Sequence, residues 1–234
     1  MSMEIANVTV RHPTARLLIF AKAPVAGRVK TRLAAAYGRG GAALRYRQLL
    51  RHTLATVAQA RVAPVELWVA PGRAHPWLAA RAREQGMPLR VQVRGDLGQR
   101  MHRALQWTLR VAPFAVLIGG DCAALTPWQL QRAFDRLAEG ADVVVGPAED
   151  GGYVLVGLRR PQPLLFQALP WGGPQVMAAT RKRLRRLGLK WVELPLSFDI
   201  DRPADLVRLQ RQSATTFGIG AAATYPTLAA AAGG

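Results

Sequence analysis

Eight aspartates are spread through the 234 residues, and five of them, Asp96, Asp121, Asp150, Asp199 and Asp201, fall just after an apolar run or in a tight loop beside one. Open α/β sheets bind ligands in the crevice outside the carboxyl ends of their strands, so these five point to one rim. Aspartate also favours turns and helix caps through its own local hydrogen bonds, which accounts for Asp96 and Asp199 without a ligand. Asp121 is harder to explain that way, because it follows two glycines and the most apolar run of the chain. A carboxylate there, joined by one from a distant loop, suits a hard dication: Mg²⁺ commonly takes one or two protein carboxylates and completes its shell with substrate phosphates.

A second constellation carries the opposite charge. Lys22, Arg28, Lys30 and Arg32 crowd into eleven residues between the first apolar run and a helical region. Backbone N–H groups at a helix start, flanked by lysine and arginine, make an anion site. The segment is not a Walker-type phosphate loop, because Gly27 stands three residues before Lys30 instead of directly before Lys-Thr. Gly38-Arg39-Gly40-Gly41 has dinucleotide-like glycine spacing but follows a helix, and reads as a helix break. Other chemistries lack their residues. None of Ser2, Ser197 and Ser213 sits in a nucleophile elbow, and the four histidines (12, 52, 75, 102) show no zinc spacing. The single cysteine, Cys122, has no positioned histidine and excludes a disulfide framework.

The net charge of +18 raises the question of a polynucleotide partner. The cations are almost all arginine, with lysine only at 22, 30, 182 and 190, and they are scattered apart from the run Arg181–Arg186. No aromatic residues interleave with them as in single-strand binders. A phosphorylated small molecule is therefore expected and a polynucleotide is not, while the run at 181–186 reads as a solvated face. No apolar run is long enough to span a membrane, and the first ten residues do not read as a signal peptide, so the expected location is the cytoplasm.

Apolar runs that alternate with amphipathic stretches must position these groups. Strands are expected at 17–21, 65–70, 89–93, 114–118, 142–145, 153–157 and 191–194. Helices are expected over roughly 30–60, 75–85, from the Gly95-Asp96-Leu97-Gly98 loop to about 110, from Thr126-Pro127 onward, 174–187 and 203–211. This alternation implies βαβ units and a mixed, mostly parallel sheet of about seven strands in a three-layer α/β/α fold. The short loop after residue 145 suggests one antiparallel member. A loose extension over 1–14, one domain over 15–212 and a disordered Ala/Gly-rich tail over 213–234 complete the organisation.

Six segments in a fixed order carry a family resemblance: FAKAPVAGRVKTRL, GDLGQRM, IGGDCAALT, GPAEDGGYVLVGL, Trp171 and FDIDRPADL, spanning about 16–210. Together they resemble a bacterial glycosyltransferase-like family of unknown function with the glycosyltransferase type A, or nucleotide-diphospho-sugar transferase, fold. More distantly, KTRL and the closing Asp-rich element resemble 2-phospho-L-lactate guanylyltransferases, and the GD and D-x-P-x-D elements resemble CMP-sugar synthetases. The resemblance implies Mg²⁺ or Mn²⁺ on Asp121 and Asp201, with Asp199 a further candidate ligand or a cap of the last helix. It implies nucleotide phosphates on Lys22, Arg28, Lys30 and Arg32, the nucleotide against Asp96 and Gly98, and the sugar or acceptor against Gly151, Gly152, Tyr153 and Trp171. The chain departs from the family pattern at Ala123, where proline is usual, at His52, where an acid is usual, and at Gly172-Gly173.

The expected reaction is sugar transfer from a nucleotide-diphospho-sugar to a small-molecule acceptor. A dication neutralises the leaving diphosphate, the basic loop adds preorganised positive charge, and Asp150 or Glu149 takes the acceptor's proton. The alternatives are guanylyl or cytidylyl transfer from a nucleoside triphosphate to a phosphorylated small molecule, releasing pyrophosphate, and nucleotide-sugar binding without catalysis. KTRL favours nucleotidyl transfer and DGGY favours glycosyl transfer.

Overall fold

The computed structural model describes residues 9–72 and 75–217. Seven strands, β1 (Arg16–Lys22), β2 (Val65–Ala70), β3 (Leu89–Val91), β4 (Ala115–Gly119), β5 (Val143–Pro147), β6 (Tyr153–Leu158) and β7 (Trp191–Glu193), form one sheet in the order β3-β2-β1-β4-β6-β5-β7. The helices are α1 (Ala34–Ala60), α2 (Pro76–Glu84), α3 (Leu97–Thr108), α4 (Pro127–Ala138), α5 (Pro163–Phe166), α6 (Val176–Arg186) and α7 (Pro203–Phe217). Every strand pairing is parallel except those of β6, which runs antiparallel to both β4 and β5. The antiparallel member expected after residue 145 is β6. The sheet is thus the mixed, mostly parallel one of a nucleotide-diphospho-sugar transferase fold.

The strand period of two divides the core between the faces of the sheet. Leu17, Ile19 and Ala21 of β1 pack with Leu50, Leu54 and Val57 of α1, Leu78 of α2 and Phe134 of α4. Leu18 packs on the opposite side with Met101 and Leu105 of α3, Phe166 of α5 and Leu184 of α6. A third cluster docks Leu206 and Leu209 of α7 against Leu33, Leu49 and Ala124. It ties the last helix to the loop that carries Asp121.

Local sequence sets the helix boundaries. Thr126 and Gln129 form a reciprocal capping box at α4, and Asp96 and Gln99 form another at α3; such caps are each worth ~1 kcal/mol. The break expected near Gly38 is there, as Gly38 leaves helical geometry at φ 68°. The short helix α5 was not expected. Its four residues cannot show a period, and it is held from outside, by Arg183 donating to the carbonyls of Leu164, Leu165 and Ala168. Arg181 grips Glu193 with two hydrogen bonds, so part of the basic run expected as a solvated face is spent on internal contacts.

The ends differ from expectation. The segment just before β1 is pinned, with the backbone N–H groups of Arg11 and His12 donating to Arg61 and Val62 and the His12 ring packed on Phe114 and Phe134. Helix α7 continues through Phe217, past the boundary expected at 212. The remainder of the expected tail, 218–234, and residues 1–8 lie outside the described residues. Among the described residues no helix is long and apolar enough to cross a membrane.

Candidate active site

Asp121 follows β4, the central strand at which the sheet changes direction, and the Gly119-Gly120 pair lets its loop lie close to the end of β1: the Gly120 N–H donates to the Phe20 carbonyl at 2.7 Å. Asp199 and Asp201 arrive on the segment between β7 and α7, and Asp150 on the turn between β5 and β6. Lys30 arrives on the loop after β1. Its ammonium stands 2.8 Å from an Asp121 oxygen and 3.2 Å from an Asp201 oxygen. Arg32 approaches the other Asp201 oxygen at 2.6 Å. Carboxylates separated by some 80 residues of chain therefore share one nitrogen, with no layer of hydrocarbon between them.

The electrostatics of this cluster are uneven. Burial alone would lower the Lys30 pKa, but Asp121, with Asp201 and Asp199, outweighs it and holds the ammonium above the ordinary lysine range. Burial likewise would raise Asp121, yet Lys30 holds it below the ordinary carboxylate range. Asp199 goes the other way. Burial, then the charges of Asp150, Asp121 and Asp201, push its carboxyl up to about 7 in spite of Lys30. Four carboxylates thus face too few cations. The Lys30 side chain is only 7% exposed, whereas Asp121 and Asp201 keep 35% and 34% of theirs open, so a ligand can reach the acids more readily than the lysine.

Among the described residues no group of three or more His, Cys, Asp or Glu side chains is gathered as a ready-made metal cage. The donor set instead fits a dication held by one or two carboxylates with ligand oxygens completing its shell. The hard oxygens of Asp121 and Asp201 suit such an ion.

A cavity of about 280 Å³ opens beside the cluster, lined by Lys22, Lys30, Tyr46, Arg100, Asp121 and Tyr153 among others. No spacing in the sequence marks Tyr46 or Arg100 as site residues. The Tyr46 hydroxyl accepts from the Lys22 N–H at 2.7 Å and fixes the end of β1. Its only sequence signal is its place on the inward face of α1. Arg100 lies inside the GDLGQRM segment, directly before Met101.

The remaining expected residues fall into distinct settings. Arg28 is exposed on the loop after β1. Asp96 spends its carboxylate on the α3 cap, accepting from the Gln99 N–H at 2.8 Å. Gly98 is a packing position, since a Cβ there would lie 2.4 Å from the Phe166 carbonyl oxygen and 2.7 Å from the Trp171 ring. Gly151 takes a left-handed turn at φ +85°, and a Cβ on it would meet the Pro174 oxygen at 2.0 Å. Its carbonyl accepts from the Met177 N–H at the start of α6. Asp150 folds back to accept from the Gly152 N–H at 2.8 Å. Tyr153 and Trp171 meet edge to face at 6.1 Å, and the Tyr153 hydroxyl and Trp171 Nε1 are buried without a partner among the described residues.

Glu149 is not in the same environment as Asp150. It forms a two-point ion pair with Arg208 of α7, both contacts at 2.7 Å, which lowers its pKa. Asp205, in the first turn of α7, accepts from the N–H groups of Asp201 and Arg202 and holds the start of that helix. Two departures from the family pattern touch each other: His52 of α1 hydrogen-bonds the Ala123 backbone. Cys122 is buried, and burial raises its thiol pKa, against a nucleophilic role.

Comparison with known proteins agrees with this architecture. No curated protein matches the chain. A candidate nucleotide-diphospho-sugar transferase from Desulfovibrio desulfuricans G20 is similar at 32% identity, with 86% of this chain and 88% of that one covered and a TM-score of 0.78. CMP:2-keto-3-deoxy-manno-octonic acid synthetase in complex with CTP shares the fold at 14% identity and a TM-score of 0.55, over 87% of this chain and 99% of that one. A protein of Mycobacterium tuberculosis H37Rv solved with manganese shares it at 22% identity and a TM-score of 0.50, over 86% and 99%. Residues 53–173, more than half of the chain, match the profile of the family described as uncharacterized protein conserved in bacteria (DUF2064), and the chain belongs to that family.

Proposed function

We propose that the protein is a dication-dependent glycosyltransferase that moves a sugar from a nucleotide-diphospho-sugar to the hydroxyl of a small acceptor. The convergence of Asp121, Asp199 and Asp201 with Lys30 beside one cavity carries this reading, together with the likeness to the Desulfovibrio protein. Asp121 and Asp201 would hold Mg²⁺ or Mn²⁺, which when bound supplies positive charge against the departing diphosphate. Lys22, Arg28, Lys30 and Arg32 bind the phosphates, and their fixed charge stabilises the diphosphate as negative charge builds on it.

Asp150 is the proton acceptor. It sits on an exposed turn next to the acidic cluster and is turned back only to a backbone N–H. Glu149, the other candidate, is neutralised by Arg208 and held at a low pKa, which makes it a poor base near neutrality. Gly151 and Gly152 keep the turn narrow where the acceptor must approach, and Tyr153 lines the cavity beside it, with Trp171 packed edge to face against its ring.

The second reading is nucleotidyl transfer, favoured by Lys30-Thr31-Arg32 and by the fold shared with the CTP-bound synthetase. Products separate the two. With Mg²⁺ or Mn²⁺, UDP- and GDP-sugars should yield free nucleoside diphosphate. Release of pyrophosphate from CTP or GTP, with no such diphosphate, would establish the second reading instead.

A further inference from the structure

Lys30 is the cation already seated between the two carboxylates assigned to the dication. Its ammonium reaches both Asp121 and Asp201, it is nearly closed off from solvent, and its backbone holds a left-handed conformation at φ 43°. The Leu33 N–H donates to the Lys30 carbonyl at 2.9 Å, closing the turn that aims the side chain at the acids. An ordinary phosphate-binding lysine extends toward the ligand, whereas this one is turned to the metal side of the site.

Resting on the function proposed above, we propose that Lys30 is an exchangeable counter-ion: it neutralises Asp121 and Asp201 in the free protein and passes to the ligand's phosphate oxygens when a dication takes its place. A lysine ammonium is a compact charge on a flexible four-carbon stem with rotatable donors, so a change of partner costs it little in geometry. A dication arriving alone must break both ion pairs and leave a buried ammonium uncompensated, which is strongly unfavourable. A diphosphate arriving alone finds Lys30 committed and the acids repelling it. Arriving together, each supplies what the other displaces. Asp201 remains served by the exposed Arg32 throughout. Dication and nucleotide therefore bind synergistically, and by linkage each raises the affinity of the other by the same factor.

The test is Mn²⁺ binding followed by electron paramagnetic resonance, with and without UDP, GDP or CDP and corrected for Mn²⁺ held by free nucleotide. Wild type should bind Mn²⁺ alone weakly and gain roughly 5–150-fold in affinity with nucleotide. Lys30→Met should bind Mn²⁺ alone at least about fivefold more tightly than wild type and lose the nucleotide gain. Synergy in wild type with no tighter Mn²⁺ binding by Lys30→Met would overturn the exchange and leave the proposed function standing. Failure of both proteins to bind Mn²⁺ in any mixture would overturn both. An independent measurement uses wild type labelled with ¹⁵N-lysine, which has only four lysine signals to resolve. The Lys30 ammonium resonance, identified by its loss in Lys30→Arg, should move when Mg²⁺ and nucleotide are added together and stay in place with Mg²⁺ alone. A resonance unmoved by the mixture that binds contradicts the exchange.

Discussion

Glu149 and Asp199 are both carboxylates on loops at the same end of the sheet, one after β5 and the other after β7, and their surroundings give them opposite properties. Glu149 lies in solvent with a guanidinium across both oxygens, and its pKa is lowered. Asp199 is half-buried among Asp150, Asp121 and Asp201, and its pKa is raised to about 7. One carboxylate has its counter-charge supplied by the chain. The other sits where the chain leaves charge unbalanced, and unbalanced charge beside a cavity is what a charged ligand can exploit.

That contrast is testable by substitution. The largest effect is expected inside the cluster: Asp121→Asn should lower kcat/KM on the order of 10²–10³-fold, while far-ultraviolet circular dichroism stays unchanged. Asp150→Asn should lower kcat by about 10²-fold with KM for the donor little changed; an unaltered kcat would take the base assignment away from it.

The third prediction concerns stability. Asp199 has a higher pKa folded than the 3.8 of its ordinary state, so folding takes up a proton between about 4 and about 7. The folded state is favoured at the acid end of that window and loses the contribution as pH rises through it. Thermal melts of metal-free protein should fall with rising pH across this range, and Asp199→Asn should flatten most of that fall. The smallest effect belongs to the rim. Glu149→Gln should change turnover by less than about twofold and barely move the melting temperature, as expected for an exposed ion pair. A large loss there would erase the distinction between the two carboxylates.

How far the sequence could be read followed the range of the interactions involved. The strands and most helices were legible because apolar periodicity is local, and Thr126-Pro127 announced α4 by cap chemistry alone. The grouping of Asp121 with Asp201 was legible from their places after strands and from the family motifs. What Lys30 touches was not. Nothing in Arg28-Val29-Lys30-Thr31-Arg32 says that the middle cation turns to the acids while Arg28 stays exposed, because that depends on a left-handed residue and on a loop some 170 positions away. The Arg208 partner of Glu149 was equally hidden, as was the double role of Gly98, which reads as part of a ligand loop and serves to let Trp171 pack. Helix α7 runs past 212 to Phe217, and no turn or helix-stop residue near 212 marks where it ends.

The most direct measurement is anomalous diffraction at the manganese edge from crystals grown with Mn²⁺ and UDP, GDP or CDP. A manganese peak bonded to oxygens of Asp121 and Asp201, with the diphosphate against the loop of Lys22 to Arg32, is the predicted result. Manganese or nucleotide lodged elsewhere, with Lys30 still bridging the two aspartates, would contradict the account.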